Sequence, residues 1–211
     1  EFVEWFCIAS DSANIVFGQK QNFTVVTATS AQTVPMNPNG LNGWFITAPL
    51  FTLIRDARAN LSFYRFDALP FNTYFGPFLF DINATLGGIE RLDFFSNFMT
   101  RNETIQNITV KVDVFPPEIN NLMPTETMNM LDVQISAIID DVYQGNSGID
   151  VNTITMEVDN MIVNPNVTII NPLKVKISKN MSLTEGLHLV NVTAKDNAGL
   201  FGFRTWNFTI D

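Results

Sequence analysis

Three stretches of this 211-residue chain align without gaps, and that repetition limits the folds open to it more than any other feature. The first runs from Asp11-Ser12-Ala13-Asn14 to Asn22-Phe23-Thr24-Val25. The second runs from Ser96-Asn97-Phe98-Met99 to Asn107-Ile108-Thr109-Val110, and the third from Asp196-Asn197-Ala198-Gly199 to Asn207-Phe208-Thr209-Ile210. In each, a polar turn residue stands eleven positions before an Asn-x-Thr triplet, and an alternating polar and apolar run follows. Upstream of each lies another alternating or apolar run, at 2–8, 89–95 and 189–194. Each copy therefore reads as strand, loop, strand. The repeat distances, 85 and 100 residues, are those of single β-sandwich domains.

Boundaries follow from the breakers. Pro116-Pro117 cannot sit in a central strand, so 114–117 is read as a linker. The stretch 26–42, with Pro35, Pro38 and Gly40 and little alternation, is read as an earlier linker. Residues 43–113 and 118–211 then form two complete sandwiches. Residues 1–25 are the closing hairpin of an incomplete unit. Strands are predicted at 50–55, 61–66, 75–82, 88–95 and 104–112, then at 131–139, 153–158, 161–163, 167–170, 174–178, 188–194 and 204–210. Asp159-Asn160 falls between two of them as a tight hairpin turn. No helical period persists for three turns, so the expected class is all-β.

Composition narrows the function. Twelve basic against 21 acidic residues give a net charge of −9, the wrong sign for nucleic acid. No apolar run approaches the ~20 residues of a membrane helix. No Lys/Arg-led apolar leader opens the chain, as expected of a mature protein or an excised piece. One Cys and one His leave almost no material for a zinc site or a nucleophilic relay, and a non-enzymatic protein is expected. Cys7, in the apolar run Trp5-Phe6-Cys7-Ile8, reads as a buried thiol or, less simply, as half of an intermolecular bridge. Fifteen of the 19 Phe precede residue 114. Residues 114–211 carry eleven acidic and five basic side chains, hence −6 of the −9. The two sandwiches thus share a plan but not a packing solution.

Sequons are the strongest compositional signal. Asn22, Asn60, Asn83, Asn102, Asn107, Asn166, Asn180, Asn191 and Asn207 each open Asn-x-Ser/Thr with no Pro between. With 24 Asn and 29 Ser plus Thr, chance placement gives roughly three. The excess points to an extracellular chain at the cell surface bearing N-linked glycans. Where a sequon lies in an alternating run, as at Asn22 and Asn207, its Asn and Thr share the wet face.

These residues carry a resemblance. Pro116-Pro117-Glu118-Ile119, Ile138-Ile139-Asp140-Asp141 and Ser147-Gly148-Ile149-Asp150 are followed by Leu183-x-x-Gly186-x-His188-x-Val190-x-Val192-x-Ala194-x-Asp196-Asn197-Ala198-Gly199 and Trp206-x-Phe208-x-Ile210-Asp211. The whole is similar to the Ig-like β-sandwich modules of prokaryotic (archaeal or bacterial) surface, S-layer-like or filament proteins. The first sandwich resembles a sister type through Asn42-Gly43-Trp44-Phe45, Arg55-Asp56, Tyr64-Arg65-Phe66-Asp67 and Tyr74-Phe75-Gly76-Pro77-Phe78. It departs at Ser96-Asn97-Phe98-Met99, where an Asp-x-Ala-Gly turn is usual. The resemblance implies two tandem Ig-like sandwiches and a surface location. It does not choose among spacer, adhesin, S-layer and filament roles.

Candidate sites are few. A lone hairpin is marginal in water, so the apolar residues of 1–25 must be covered. Phe2, Trp5, Phe6, Ile8, Val16, Phe17 and Phe23 are the candidate assembly residues. The hairpin packs on 43–113, ends a preceding unit, or completes the sandwich of a second copy by strand addition. The last arrangement gives a head-to-tail polymer of the chain with itself. Asp140, Asp141, Asp150 and Asp196 fall at strand ends or in loops that such a topology gathers at one end. They are the candidate Ca2+ ligands, against the simpler reading of Asp as a turn residue. His188 is read as a structural histidine, and Tyr143 is the one aromatic considered for sugar stacking. The expected function is a structural, self-assembling, glycosylated surface protein of S-layer, sheath or filament type. The alternatives are an adhesin or carbohydrate-binding module of a larger secreted protein, and a non-catalytic segment of an exported enzyme.

Overall fold

The computed structural model describes residues 2–5, 8–10, 15–17, 21–24, 27–80, 88–99, 101–142 and 146–211. Strands β1 (Phe2–Trp5) and β4 (Gln21–Thr24) pair antiparallel, as do β2 (Ile8–Ser10) and β3 (Ile15–Phe17). Each pair is a two-stranded sheet, and among the described residues neither joins another strand.

The first module has β5 (Ser30–Val34), β6 (Leu50–Ile54), β7 (Leu61–Phe66), β8 (Asn72–Tyr74), β9 (Phe78–Leu79), β10 (Gly88–Phe98), β11 (Arg101–Asn102) and β12 (Gln106–Val112). One sheet runs β5-β6-β9. The other runs β8-β7-β10, with β11 and β12 both on the far side of β10. The second module has β13 (Glu118–Met123), β14 (Asp132–Asp140), β15 (Ile149–Val158), β16 (Met161–Val163), β17 (Asn166–Asn171), β18 (Lys174–Ser182), β19 (Gly186–Asp196) and β20 (Phe201–Ile210). Its sheets run β13-β14-β18-β17 and β16-β15-β19-β20. Chain order against sheet order is that of the immunoglobulin sandwich, with A, B, E and D in one sheet and C, F and G in the other, extended by one C′ strand. The first module repeats this plan through A, B and E and through C′, C, F and G.

Alternation builds the second core. In β14, Val133, Ile135, Ala137 and Ile139 turn inward, and in β19 Val190, Val192 and Ala194 do the same. They meet Met156, Val158, Val175, Ile177, Phe208 and Ile210 from the remaining strands. The Asp159-Asn160 turn has positive φ at both residues (51° and 64°), as a two-residue hairpin whose twist matches its strands requires. The first core is aromatic instead. Phe51 stacks on Phe78 at 5.4 Å and meets Phe66 edge-on at 5.8 Å, while Tyr64 stacks on Phe78 at 3.7 Å. A further cluster, Phe63, Phe71 and Phe95, lies half-buried, with the Arg65 guanidinium 4.4 Å from the Phe71 ring centre.

Two expectations are corrected. The expected linker 26–42 contains β5, which pairs with β6 from Ser30↔Ile54 to Val34↔Leu50, so the first module starts before residue 43. Its alternation is hard to see in sequence because an edge strand with one half-buried face needs no large apolar residues; Ala31 and Thr33 suffice. Of the strand predicted at 75–82, only β9 (Phe78–Leu79) is a strand among the described residues; β8 ends before it, at Tyr74, and lies in the other sheet.

Candidate metal centre at the module junction

Asp113 follows β12, Asp141 follows β14, and Asp196 ends β19. Each offers a carboxylate oxygen, and these atoms lie within 4.8 Å of one another. All three side chains are buried, at 0%, 2% and 1% exposure. Backbone geometry brings them together. The Asp113 N–H donates to Phe45 O (2.9 Å), the Asp141 N–H to Leu173 O (2.8 Å) and the Asp196 N–H to Leu200 O (3.2 Å). Backbone N–H groups then cradle the carboxylates. Ser147 and Phe115 donate to Asp113 (2.8 and 3.3 Å), Gly148 to Asp141 (2.7 Å) and Leu200 to Asp196 Oδ1 (2.9 Å). The second oxygen of Asp196, Oδ2, is buried with no hydrogen-bond partner.

Burial in a weakly solvating setting disfavours the charged form of each acid. It raises the Asp113 carboxyl above the ordinary range, against hydrogen bonds from Ser147 and Phe115. It pushes Asp141 up to about 7, with the negative charges of Asp113 and Asp196 adding to the effect. Asp196 rises to about 6 for the same reasons, with Asp113 as the charged neighbour.

The cluster sits where the modules touch. Leu41 N–H donates to Ala198 O (2.8 Å), and Asn42 Nδ2 donates to Asn197 O (2.9 Å). Gly199, at φ +94°, packs so closely that a Cβ there would stand 2.9 Å from Leu41 Cγ. Below the turn, Asn197 Nδ2 donates to Ser147 O (3.0 Å) and Ala198 N–H to Ser147 Oγ (3.0 Å), so the same loop that cradles Asp113 also holds the Asp196 turn.

Of the four acids expected as ligands, Asp141 and Asp196 belong to this cluster and Asp140 and Asp150 do not. Asp140 faces Lys174 at 3.5 Å and accepts from Asn120 Nδ2 at 3.1 Å, because the alternation of β14 sends its side chain to the face opposite Asp141. Asp150 Oδ1 caps its own turn, accepting from the Asn152 N–H and Nδ2, both at 3.1 Å. Asp113 was missed by sequence reasoning, which gathered acids within one module only. The signal was there: a carboxylate inside the apolar run Val112-Asp113-Val114-Phe115, just before the Pro pair.

The remaining candidates have clear placements. His188 Nδ1 lies 2.7 Å from Asp159 Oδ2, and Nε2 lies 2.7 Å from the Thr184 carbonyl. A carbonyl only accepts and a carboxylate only accepts, so this pair of contacts favours the doubly protonated ring. The hydrogen bond to Asp159 raises its pKa against burial. Asn60, Asn102, Asn107, Asn166, Asn180 and Asn207 are exposed and Asn191 is half-buried. In the three repeat copies the sequon Asn lies on the last strand of a hairpin: Asn22 opposite Glu4, Asn107 opposite Asp93, Asn207 opposite Leu189. The side chains of Phe2, Trp5, Ile8, Val16, Phe17, Asn22 and Phe23, and all of Phe6, Cys7, Asn83 and Tyr143, lie outside the described residues. A groove of about 550 Å3 runs between β13 and β20 and is lined by Phe115, Pro117, Ile119, Leu122, Phe201 and Phe203. Among the described residues, no helix is long and apolar enough to cross a membrane.

No protein-family model matches the chain, and no curated protein matches it. Solved structures similar to it are immunoglobulin-like or fibronectin-like. Dpr2 Ig1-Ig2 in complex with DIP-Theta Ig1-Ig3 has a TM-score of 0.43 at 10% identity, covering 100% of this chain and 73% of that one. The fibronectin(III)-like modules of Clostridium thermocellum CbhA have a TM-score of 0.36 at 12% identity, covering 86% and 94%. The N-terminal eight Ig domains of Down Syndrome Cell Adhesion Molecule have a TM-score of 0.34 at 15% identity; the match covers 99% of this chain, which spans 30% of the length of that one. The chain is a tandem of immunoglobulin-like β-sandwiches, an assignment that rests on its strand order.

Proposed function

We propose that this is a structural, N-glycosylated extracellular protein of the cell surface, of S-layer, sheath or filament type, whose copies join by β-strand pairing. The observation that carries the reading is the hairpin β1–β4. It has the form of the F–G hairpin of the two modules, with its sequon on the last strand, yet among the described residues its strands pair only with one another. In an immunoglobulin sandwich the F strand is bonded on both sides, to G and to C, as β10 is to β12 and β7, and β19 to β20 and β15. Among the described residues no C-type strand pairs with this hairpin, and such an edge offers a row of N–H and C=O groups to a partner strand. A second copy supplies such a partner, and because donor and acceptor differ, the contact is head-to-tail and propagates. Exposed sequon asparagines on both modules fit glycans shielding the wet faces.

The test is deletion of 1–25 from the full chain, followed by light scattering and negative-stain microscopy. Polymers from the intact chain and monomers of unchanged far-UV dichroism from the truncated one are expected. Assembly that survives the deletion overturns the reading. Mass spectrometry of native material should show glycan mass on several sequons, and unmodified peptides throughout would remove the glycoprotein part.

A further inference from the structure

We propose that Asp113, Asp141 and Asp196 bind a divalent cation, Ca2+ by their chemistry, and that the ion locks the second module to the end of the first. The inference does not depend on self-assembly.

Three segments of two modules deliver three carboxylates to one buried point, with oxygens within 4.8 Å. Among the described residues, the Lys, Arg and His ion pairs engage Asp56, Asp93, Asp140 and Asp159 and none of these three acids. Three carboxylates this close and this dry cannot all ionise on their own, and a buried charge without a counter-charge is costly. The cluster nevertheless keeps Asp196 Oδ2 buried and without a hydrogen-bond donor, although N–H groups satisfy the neighbouring oxygens. A cation supplies what that oxygen lacks. The donor set is oxygen only, which suits Ca2+ or Mg2+ and disfavours zinc or copper. Ca2+ takes six to eight oxygens at adjustable distances, as a site assembled from a linker, a loop and a strand end would offer. Mg2+ demands a tight octahedron and keeps its waters.

The mechanical consequence follows from where Asp113 sits. It is the residue after β12, tied back to Phe45 of the first module, and its carboxylate is held by Ser147 of the second. An ion bonded to Asp113, Asp141 and Asp196 therefore spans the linker and fixes the angle at which the modules meet.

The experiment uses the full chain, stripped with EDTA and dialysed, then titrated calorimetrically with CaCl2, with thermal melts in each condition. One Ca2+ per chain and a melting temperature raised by several degrees, on the order expected for a ligand that binds only the folded state, are expected. Asp196→Asn should lose the binding heat and the Ca2+-dependent rise. In EDTA it should melt at or above the wild type, because an amide relieves the repulsion. That reversal of order between EDTA and Ca2+ separates a metal ligand from a merely structural carboxylate. Should Asp196→Asn fail to fold by far-UV dichroism, Asp113→Asn, on the linker, reads the same quantities. Absence of wild-type binding up to about 10 mM, above the range of extracellular calcium modules, overturns the proposal. So does a variant that binds as the wild type does. MgCl2 giving an equal or larger shift overturns the choice of Ca2+.

Discussion

The two modules have one topology and opposite solutions at equivalent places. Asp56 follows β6 in the first module as Asp141 follows β14 in the second, and Ser96 takes the repeat position of Asp196. In the first module every charge there has a partner. Asp56 receives the Arg58 guanidinium at 2.7 Å and the Thr27 N–H at 3.0 Å, which hold its carboxyl well below the usual range. Ser96 shares its hydroxyl with Ser62 (2.7 Å) and Thr29 (2.6 Å), and its N–H donates to Glu103 (2.6 Å). At that end of the second module its own Asp141 and Asp196 lie buried with Asp113 of the linker, and none of the ion pairs among the described residues gives them a base in the same role. The same loops can thus close a sandwich end with internal hydrogen bonds or gather carboxylates without a basic partner, and a few side chains make the difference. The cores differ as sharply: stacked phenylalanines in one, interdigitated Ile and Val in the other.

The largest expected effect tests whether these are two folding units. Phe51 is fully buried and touches Phe66 and Phe78. Phe51→Ala should cost the first module about 3–5 kcal/mol. Calorimetry should show one transition falling while that of the second module stays. Ile177→Ala should do the reverse, at about 2–5 kcal/mol. Transitions that move together in both variants would mean that the junction couples the modules into one cooperative unit.

Next in size is the response to pH in the presence of EDTA. Asp141 and Asp196 titrate higher folded than unfolded, at about 7 and about 6 against an ordinary 3.8. As pH rises above 3.8, the unfolded chain releases these protons first, so the second module should lose a few kcal/mol of stability up to about pH 7. Asp56 is depressed, so its contribution is present above 3.8 and is lost only as pH falls through its folded value. Acid should therefore weaken the first module at Asp56 and strengthen the second at its cluster. Between pH 4 and 7.5 the second transition should fall while Asp56 leaves the first in place, and only below 3.8 should the first weaken; melts that move both transitions the same way would contradict the contrast.

How much of this was legible in the sequence follows from what alternation can encode. The hairpin turn at Asp159-Asn160 and the strands β7, β16 and β18 were visible because apolar and polar residues alternate and the turn residues accept positive φ. Edge strands were harder: β5 and β13 have one wet face and few large side chains, so 30–34 read as linker and 118–123 stayed unassigned. For the acids, sequence placed Asp141 and Asp196 at strand ends, which is a local property. Alternation sends Asp140 and Asp141 to opposite faces, but sequence could not say which of the two meets the junction, nor that the linker carries Asp113 in from the other module. Both are facts of three-dimensional closure.

The junction has a steric side as well. A Cβ on Gly202 would stand 2.1 Å from the Pro117 carbonyl oxygen, backbone that cannot move aside without opening β13 from β20. Gly202→Ala should cost about 1–3 kcal/mol, measured by urea denaturation of the second module. The corresponding contact at Gly43, where nothing lies within 4 Å of the Cβ position, offers the control. There only the positive φ of 78° resists, and about 1 kcal/mol is expected for Gly43→Ala. Equal costs at the two sites would mean that backbone conformation, not the close approach of β20 to the linker, limits the junction.

The smallest effect concerns the end of the second module that bears its histidine. His188 is buried between Asp159 and Thr184, and its pKa lies above the ordinary 6.5. Its contribution is therefore complete below 6.5 and is lost as pH rises through the folded value. For Asp159, burial works upward, but the His188 hydrogen bond, the Leu189 N–H and the imidazolium charge outweigh it, and the carboxyl is depressed. Its contribution is present above 3.8 and lost as pH falls through the folded value. The pair should thus be worth most between about pH 4 and 6.5. Asp159 is a third exposed, so solvent screens the pair and about 1 kcal/mol is expected. The quantity to measure is the difference in stability between the wild type and His188→Gln across pH, because subtraction removes the drift of the acid cluster, which falls with rising pH as well. A difference that stays flat from pH 4 to 9 would mean that His188 is held by packing against Phe208, 5.5 Å away, and not by charge. The two ends of the second module would then differ in kind, one governed by ionisation and the other by shape.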